Sequence, residues 1–228
     1  MGTIKKGSRG DDVRTLQKKL GIAVDGIFGT KTEDAVKAYQ KNHGLTPDGI
    51  VGPHTWECLG FPQTSRHIDE IIIHCSATKE GKPCSADQIN VSHKARKFSS
   101  YADSKGRTRY IGYHFIIHLD GTIEACRPIN KIGCHASGHN TRSIGICYIG
   151  GLDARDTNGK MIKDTRTPAQ KASLNSLIKE LKGEYPTINR VIGHRDTSPD
   201  LNGNGIIEPY EFIKGCPCFD AIPEYKDL

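Results

Sequence analysis

The segment DGIFGTKTEDAV begins at Asp25, and DGIVGPHTWECL begins 23 residues later at Asp48. This internal repeat is the strongest constraint on the fold, because both copies must satisfy one local geometry. Each copy reads as a turn on Asp-Gly, an apolar residue, a second Gly, and then a Thr that opens a helix. Ahead of the first copy, Val13, Leu16 and Leu20 share one helical face. The expectation for residues 1–61 is a small all-α domain of three helices with two similar loops. A purely structural helical hairpin satisfies the same pattern.

The full N-terminal stretch is more specific than its repeat. Gly10, Val13, Leu16, Gln17, Leu20, Asp25, Gly26, Phe28, Gly29, Thr32, Val36, Gln40, Asp48, Gly49, Gly52, Thr55 and Trp56 stand in the order of a known pattern. Through them the segment resembles the peptidoglycan-binding domain found beside many wall-degrading enzymes. The resemblance implies peptidoglycan as partner, with the loops around Phe28 and Trp56 as candidate glycan contacts.

Composition narrows the rest. The chain has 228 residues, of which 36% are hydrophobic and 25% charged, as in ordinary soluble proteins. The Ile71-Ile72-Ile73 run is far too short to cross a bilayer. The formal charge of +6 is spread along the chain with no Lys/Arg block, so a nucleic-acid role gains little support. A mild positive field suits an anionic polymer such as a cell wall. The first residues, Met1-Gly-Thr-Ile-Lys-Lys, lack the apolar core of a signal peptide, so action on the wall implies a phage endolysin, separate export or a removed leader. A monomer without membrane association is expected. The eight cysteines form no paired CxxC ribbon, which argues against a structural zinc site, and Cys147 reads as buried packing.

After a short polar linker at 61–65, residues 66–228 mix strands and helices. Apolar runs at 69–74, 110–118, 121–125, 143–149 and 190–193 read as strands, with Asp120-Gly121 as a hairpin turn. Ser85 is a plausible N-cap for a helix over 85–98. Thr167-Pro168-Ala-Gln170 is a capping box opening a helix to about residue 182. The expected class is α/β, a mixed central sheet flanked by helices.

His74 and His194 each end an apolar run, and Cys216 follows in KGCPCFD. Two imidazoles and a thiolate would leave one tetrahedral position open, the layout of a catalytic zinc. Spacing alone is weak support, since a strand histidine is more often an ordinary core or edge residue. A fourth ligand at Cys218 would be strained and would close the site. Cys75 should point to the opposite face from His74 and belong to the core.

Six blocks, IIIHCSAT, GYHFIIHLDGTIEACR, KIGCHASGHNTRSIGICYIGG, TPAQKASLNSLIKEL, VIGHRD and KGCPCFD, occur in one order. That order resembles the zinc-dependent N-acetylmuramoyl-L-alanine amidases, relatives of phage lysozyme-amidases and peptidoglycan recognition proteins. The resemblance implies zinc on His74, His194 and Cys216. It implies catalytic roles for Tyr113 and Lys214, and a groove-lining segment at His135 and Asn140. The reaction implied is hydrolysis of the amide between N-acetylmuramic acid and L-alanine. Tyr113 and Lys214 are suitable donors to a tetrahedral oxyanion. No HExxH helix is present, so that protease arrangement is absent.

The chain departs from simpler members between His194 and Cys216, which stand 22 residues apart. The extra segment fits the EF-hand calcium loop, with Asp200, Asn202 and Asn204 offering side-chain oxygens, Ile206 its carbonyl and Glu211 a bidentate carboxylate. Pro199 precludes an entering helix, and two Asn ligands imply weak affinity. A polar surface loop is the plainer alternative. For the whole chain, the competing readings are a non-catalytic peptidoglycan receptor on the same scaffold, which the presence of Cys216 disfavours, and a zinc-dependent interaction module.

Overall fold

The computed structural model describes residues 1–61, 66–103 and 105–228. Most of the expected linker, residues 62–65, lies outside the described residues. The chain divides into two compact units, Met1–Ser65 and Arg66–Leu228.

The first unit contains α1 (Asp11–Leu20), α2 (Thr30–Asn42) and α3 (Pro53–Cys58). The repeat has a direct cause in two buried amides. Gln17 Nε2 donates to Asp25 Oδ1 (2.7 Å), the Ile27 carbonyl (3.1 Å) and Thr32 Oγ1 (3.1 Å), while its Oε1 accepts from the Gly26 N–H (2.9 Å). Gln40 repeats this on Asp48 (2.8 Å), Ile50 (2.8 Å), Thr55 (3.2 Å) and Gly49 (2.9 Å). Each loop therefore needs Asp, Gly and Thr at fixed places, with Gly26 and Gly49 at φ +75° and +79°. Phe28 and Trp56, whose loops were expected to meet glycan, bury their rings with Val13, Leu16 and Val36 in the core. The two loops instead expose Ile27 and Ile50.

The second unit is built on a mixed five-stranded sheet. Its elements are β1 (Glu70–Cys75), β2 (Thr78–Lys79), α4 (Ala86–Ala95), β3 (Tyr101–Ala102), β4 (Thr108–Arg109), β5 (Phe115–Ile117), β6 (Ile123–Ala125), β7 (Ser143–Tyr148), β8 (Gly151–Leu152), α5 (Pro168–Glu184), β9 (Arg190–Gly193) and α6 (Ala221–Tyr225). Two short 3-10 turns, His194–Thr197 and Pro209–Glu211, fall between β9 and α6. The sheet order is β6-β5-β7-β1-β9, all parallel except β6, which pairs antiparallel with β5. The expected α/β class with a mixed sheet is what forms.

Both expected caps form, since Ser85 with Gln88 and Thr167 with Gln170 close capping boxes. Three expected boundaries were too wide, among them the strand over 121–125, which pairs only over Ile123–Ala125. The helix over 85–98 stops at Ala95, and the strand over 110–118 pairs only over Phe115–Ile117. Residues 110–114 leave the strand because their polar groups bind elsewhere: the Tyr110 N–H goes to Asn90 Oδ1 (2.6 Å) and the Gly112 N–H to His93 Nδ1 (3.0 Å).

Strand alternation divides the core. Ile71, Ile73 and Cys75 pack with Leu174, Leu177 and Ile178 of α5, whereas Ile72 packs with Ala136 and Ile192 on the other side. With a period of two, His74 shares the face of Ile72, away from α5.

Candidate metal centre and its cleft

β1 and β9 run parallel, with Ile73 opposite Gly193. The residues that follow, His74 and His194, therefore emerge side by side at the carboxyl ends of neighbouring strands, with ring centroids 4.6 Å apart. Parallel sheets place sites at such ends.

Cys216 arrives from a loop tied to two strands of the sheet and to the 3-10 turn after β9. Its Sγ accepts the Cys75 backbone N–H at 3.0 Å. Its carbonyl accepts the Arg195 N–H at 2.7 Å, and the next carbonyl, of Pro217, accepts the Tyr148 hydroxyl at 2.7 Å. One ligating atom each from His74, His194 and Cys216 lies within 4.8 Å of the others, the only such group of His, Cys, Asp or Glu among the described residues. Two imidazoles and a thiolate suit zinc, and a three-ligand set leaves room for a fourth, non-protein ligand. Cys218 turns away, with Sγ 3.2 Å from the Gly151 carbonyl and 3.7 Å from Cys75 Sγ.

Burial keeps the imidazoles neutral. It drives His74 well below the usual histidine value, helped by His135 and His194. His194 is lowered to about 4, first by burial and then by the Lys214 charge. Neutral rings keep lone pairs available at neutral pH.

The three residues open into a cleft of about 360 Å³, also lined by Tyr113, Lys214 and His135. Tyr113 sits in the irregular segment before β5, its ring centroid 5.1 Å from that of His74. Burial raises its phenol well above 10, so it is an O–H donor at neutral pH. Lys214 is exposed beside Cys216.

His135 is buried, its Nδ1 3.0 Å from His74 Nε2, so it touches the metal cluster as well as the cleft. Asn140, expected in the groove, does not line the cleft. Its Oδ1 accepts the backbone N–H groups of His135 (2.8 Å) and Ala136 (3.0 Å), which shapes the turn carrying His135. Sequence reasoning missed His93, buried against Tyr113 and lowered to about 4 chiefly by burial. Its position in α4, two residues before that helix ends, carried no signal of that role.

In the calcium-like segment, Asp200 accepts from the Gly203 and Gly205 N–H groups, both at 2.7 Å. Asn202 Oδ1 accepts from Asn204, and Asn204 Oδ1 from Ile206. Glu211 is buried and accepts from the Leu201 and Glu208 N–H groups, both at 2.8 Å. The loop is thus closed by its own carboxylates, with Gly205 at φ +82°.

Residues 9–59 match the peptidoglycan binding domain family. Residues 64–204 match the N-acetylmuramoyl-L-alanine amidase family, a match that stops short of Lys214 and Cys216. The endolysin of Enterobacteria phage K11 is 33% identical over 155 residues, covering 68% of this chain and 83% of its own. An uncharacterized protein of Haemophilus influenzae is 46% identical over 103 residues, 45% of this chain and 84% of its own. Among solved structures, the N-acetylmuramoyl-L-alanine amidase LysC from Clostridium intestinale is 30% identical, covers 64% of this chain and 81% of its own, and has a TM-score of 0.44. The amidase match spans more than half of the chain and the phage endolysin is related over most of its own length, so the chain belongs to the N-acetylmuramoyl-L-alanine amidase family.

Proposed function

We propose that this chain is a zinc hydrolase of peptidoglycan that cuts the amide between N-acetylmuramic acid and L-alanine, with His74, His194 and Cys216 as metal ligands. The observation that carries the reading is the convergence of those three ligating atoms at one end of a cleft that also presents Tyr113 and Lys214. Zinc bound there would supply Lewis acidity and a water acidified to a pKa of about 7.

The protein's own groups then have defined tasks. An amide resists attack because its carbonyl is a poor electrophile and its amine a poor leaving group. Tyr113 Oη–H and Lys214 Nζ–H donate to the negative charge that builds on the carbonyl oxygen. The leaving nitrogen requires one proton, and these same two groups are the donors assigned to that task. The Cys75 N–H, donating to Cys216 Sγ, holds that sulfur beside the two histidines. The first unit holds the chain on the wall and raises its local concentration there.

Calcium in the 200–211 loop belongs to the same reading. What supports it is the oxygen donor set of Asp200, Asn202, Asn204, the Ile206 carbonyl and Glu211 around Gly205. A loaded loop would stiffen the segment leading to Lys214 and Cys216. A calorimetric titration with calcium that gives neither heat nor a change in Tm removes this part and leaves the zinc part standing.

The decisive experiment is digestion of purified walls followed by mass spectrometry. Fragments should carry a new free L-alanine amine and an intact lactyl carboxylate. A chelator should abolish them and zinc restore them. Cleavage of a glycosidic or peptide bond instead, or undiminished cleavage after complete metal removal, overturns the assignment.

A further inference from the structure

We propose that His135 is a positioning residue for the metal centre: it accepts the Nε2–H proton of His74 and so presents the bare Nδ1 of His74 to the metal. The proposal rests on the zinc reading for its consequence, but its core is a hydrogen-bond chain readable in the metal-free protein.

The chain is fixed from its far end. Ser143 Oγ donates to the His139 carbonyl at 2.8 Å, and a carbonyl can only accept. The single Ser143 proton is thereby used, so Oγ presents a lone pair to His135 Nε2, 3.4 Å away. His135 Nε2 therefore carries the ring proton, and its Nδ1 is an acceptor. The His74 Nε2 facing it at 3.0 Å must then be the donor. A neutral imidazole with its proton on Nε2 has its lone pair on Nδ1. The reverse direction would put the His74 proton on Nδ1 and deprive it of a ligand atom.

The ring of His135 has a built seat. A Cβ placed on Gly145 would lie 2.6 Å from His135 Cγ, and one placed on Gly133 would lie 2.7 Å from His135 Nε2. Both positions lack the side chain that would displace the ring. Asn140 clamps the backbone of His135 from the other side. Gly145 of β7 pairs with Ile72, two residues before His74, so the slot is set by the sheet that carries the ligand. A side chain needed only to line a groove does not require two side-chain-free walls and a serine behind it. Outer partners that orient ligating histidines commonly change metal affinity by 10- to 100-fold when removed.

Two measurements on the full chain test this. Long-range 15N–1H spectra of the zinc-free protein should place the His74 proton on Nε2 and the His135 proton on Nε2; finding either on Nδ1 overturns the proposal. Zinc affinity by chelator competition should fall about 10- to 100-fold in His135→Leu. His135→Asn, whose Oδ1 occupies the place of Nδ1, should recover most of that loss. Wild-type affinity in His135→Leu, or His135→Asn as weak as His135→Leu, overturns it. Should His135→Leu not fold, the wild-type spectra and the His135→Asn affinity still decide. A wild-type protein that binds no zinc would remove the zinc reading, while the spectra would still test the hydrogen-bond chain separately.

Discussion

Replacing Gln40 by Leu isolates the cause of the N-terminal repeat. The substitution keeps a side chain of similar size and removes four hydrogen bonds, to Asp48, Ile50, Thr55 and Gly49. The Gly49 N–H is buried and has no route to water, so it bears a desolvation cost of about 1–3 kcal/mol. The Ile50 carbonyl and Asp48 carboxylate are partly exposed and regain water, losing about 1 kcal/mol between them. A loss of about 3 kcal/mol is expected, corresponding to a fall in Tm of roughly 10–20 °C for a unit of this size. Trp56 is the single tryptophan and lies in the first unit's core, so its fluorescence during urea unfolding of the whole chain reports that unit alone. Gln17→Leu should cost a similar amount, because its network is the same. Losses below about 1 kcal/mol in both variants would show that the glutamines decorate the loops and do not build them.

Three further outcomes follow from the second unit. His93 and His114 lie outside the ligand set and are lowered by burial to about 4 and about 3. The unfolded chain titrates them near 6.5, so their stabilisation is complete above about pH 6.5 and declines as pH falls toward 4. Unfolding free energy measured by denaturant should drop by up to about 1.4 kcal/mol per pH unit for each histidine, and a flat profile between pH 6.5 and 4.5 contradicts their burial as neutral rings. Tyr113→Phe and Lys214→Met should each lower kcat by about 100-fold with Tm nearly unchanged; loss confined to KM would assign them to substrate binding instead. Gly145→Ala should lower Tm by several degrees, because the new methyl meets the His135 ring in a strand that cannot move. A Tm equal to wild type would mean that the slot is looser than its geometry indicates.

Local signals in the sequence carried far. Ser85 and Thr167 announced two helix starts because capping is settled within four residues. Residues 190–193 read correctly as a strand because a buried parallel strand is a short apolar run between breakers. The segment 110–114 misled for the same reason. Tyr110, Ile111 and Tyr113 have strand-like side chains, but the N–H groups of Tyr110 and Gly112 go to Asn90 and His93, in a helix some 20 residues earlier. That Phe28 and Trp56 turn their rings into the core while the loops beside them expose Ile27 and Ile50 was not legible, because an aromatic looks the same in sequence whether its ring faces inward or outward.

The same division holds for the site. The sequence by itself determined which residue types could hold a metal and that two of them end apolar strands, since alternation and strand length are local properties. It also determined the repeat and its two Asp-Gly turns. Tertiary structure alone decided that His74, His194 and Cys216 meet, because that depends on the parallel pairing of β1 with β9 and on a loop returning after 22 residues to be tied down by Arg195, Tyr148 and Cys75. It alone placed Asn140 Oδ1 on the turn that carries His135 and His135 Nδ1 against His74 Nε2, because the latter contact joins segments far apart in the chain and no single segment contains that information.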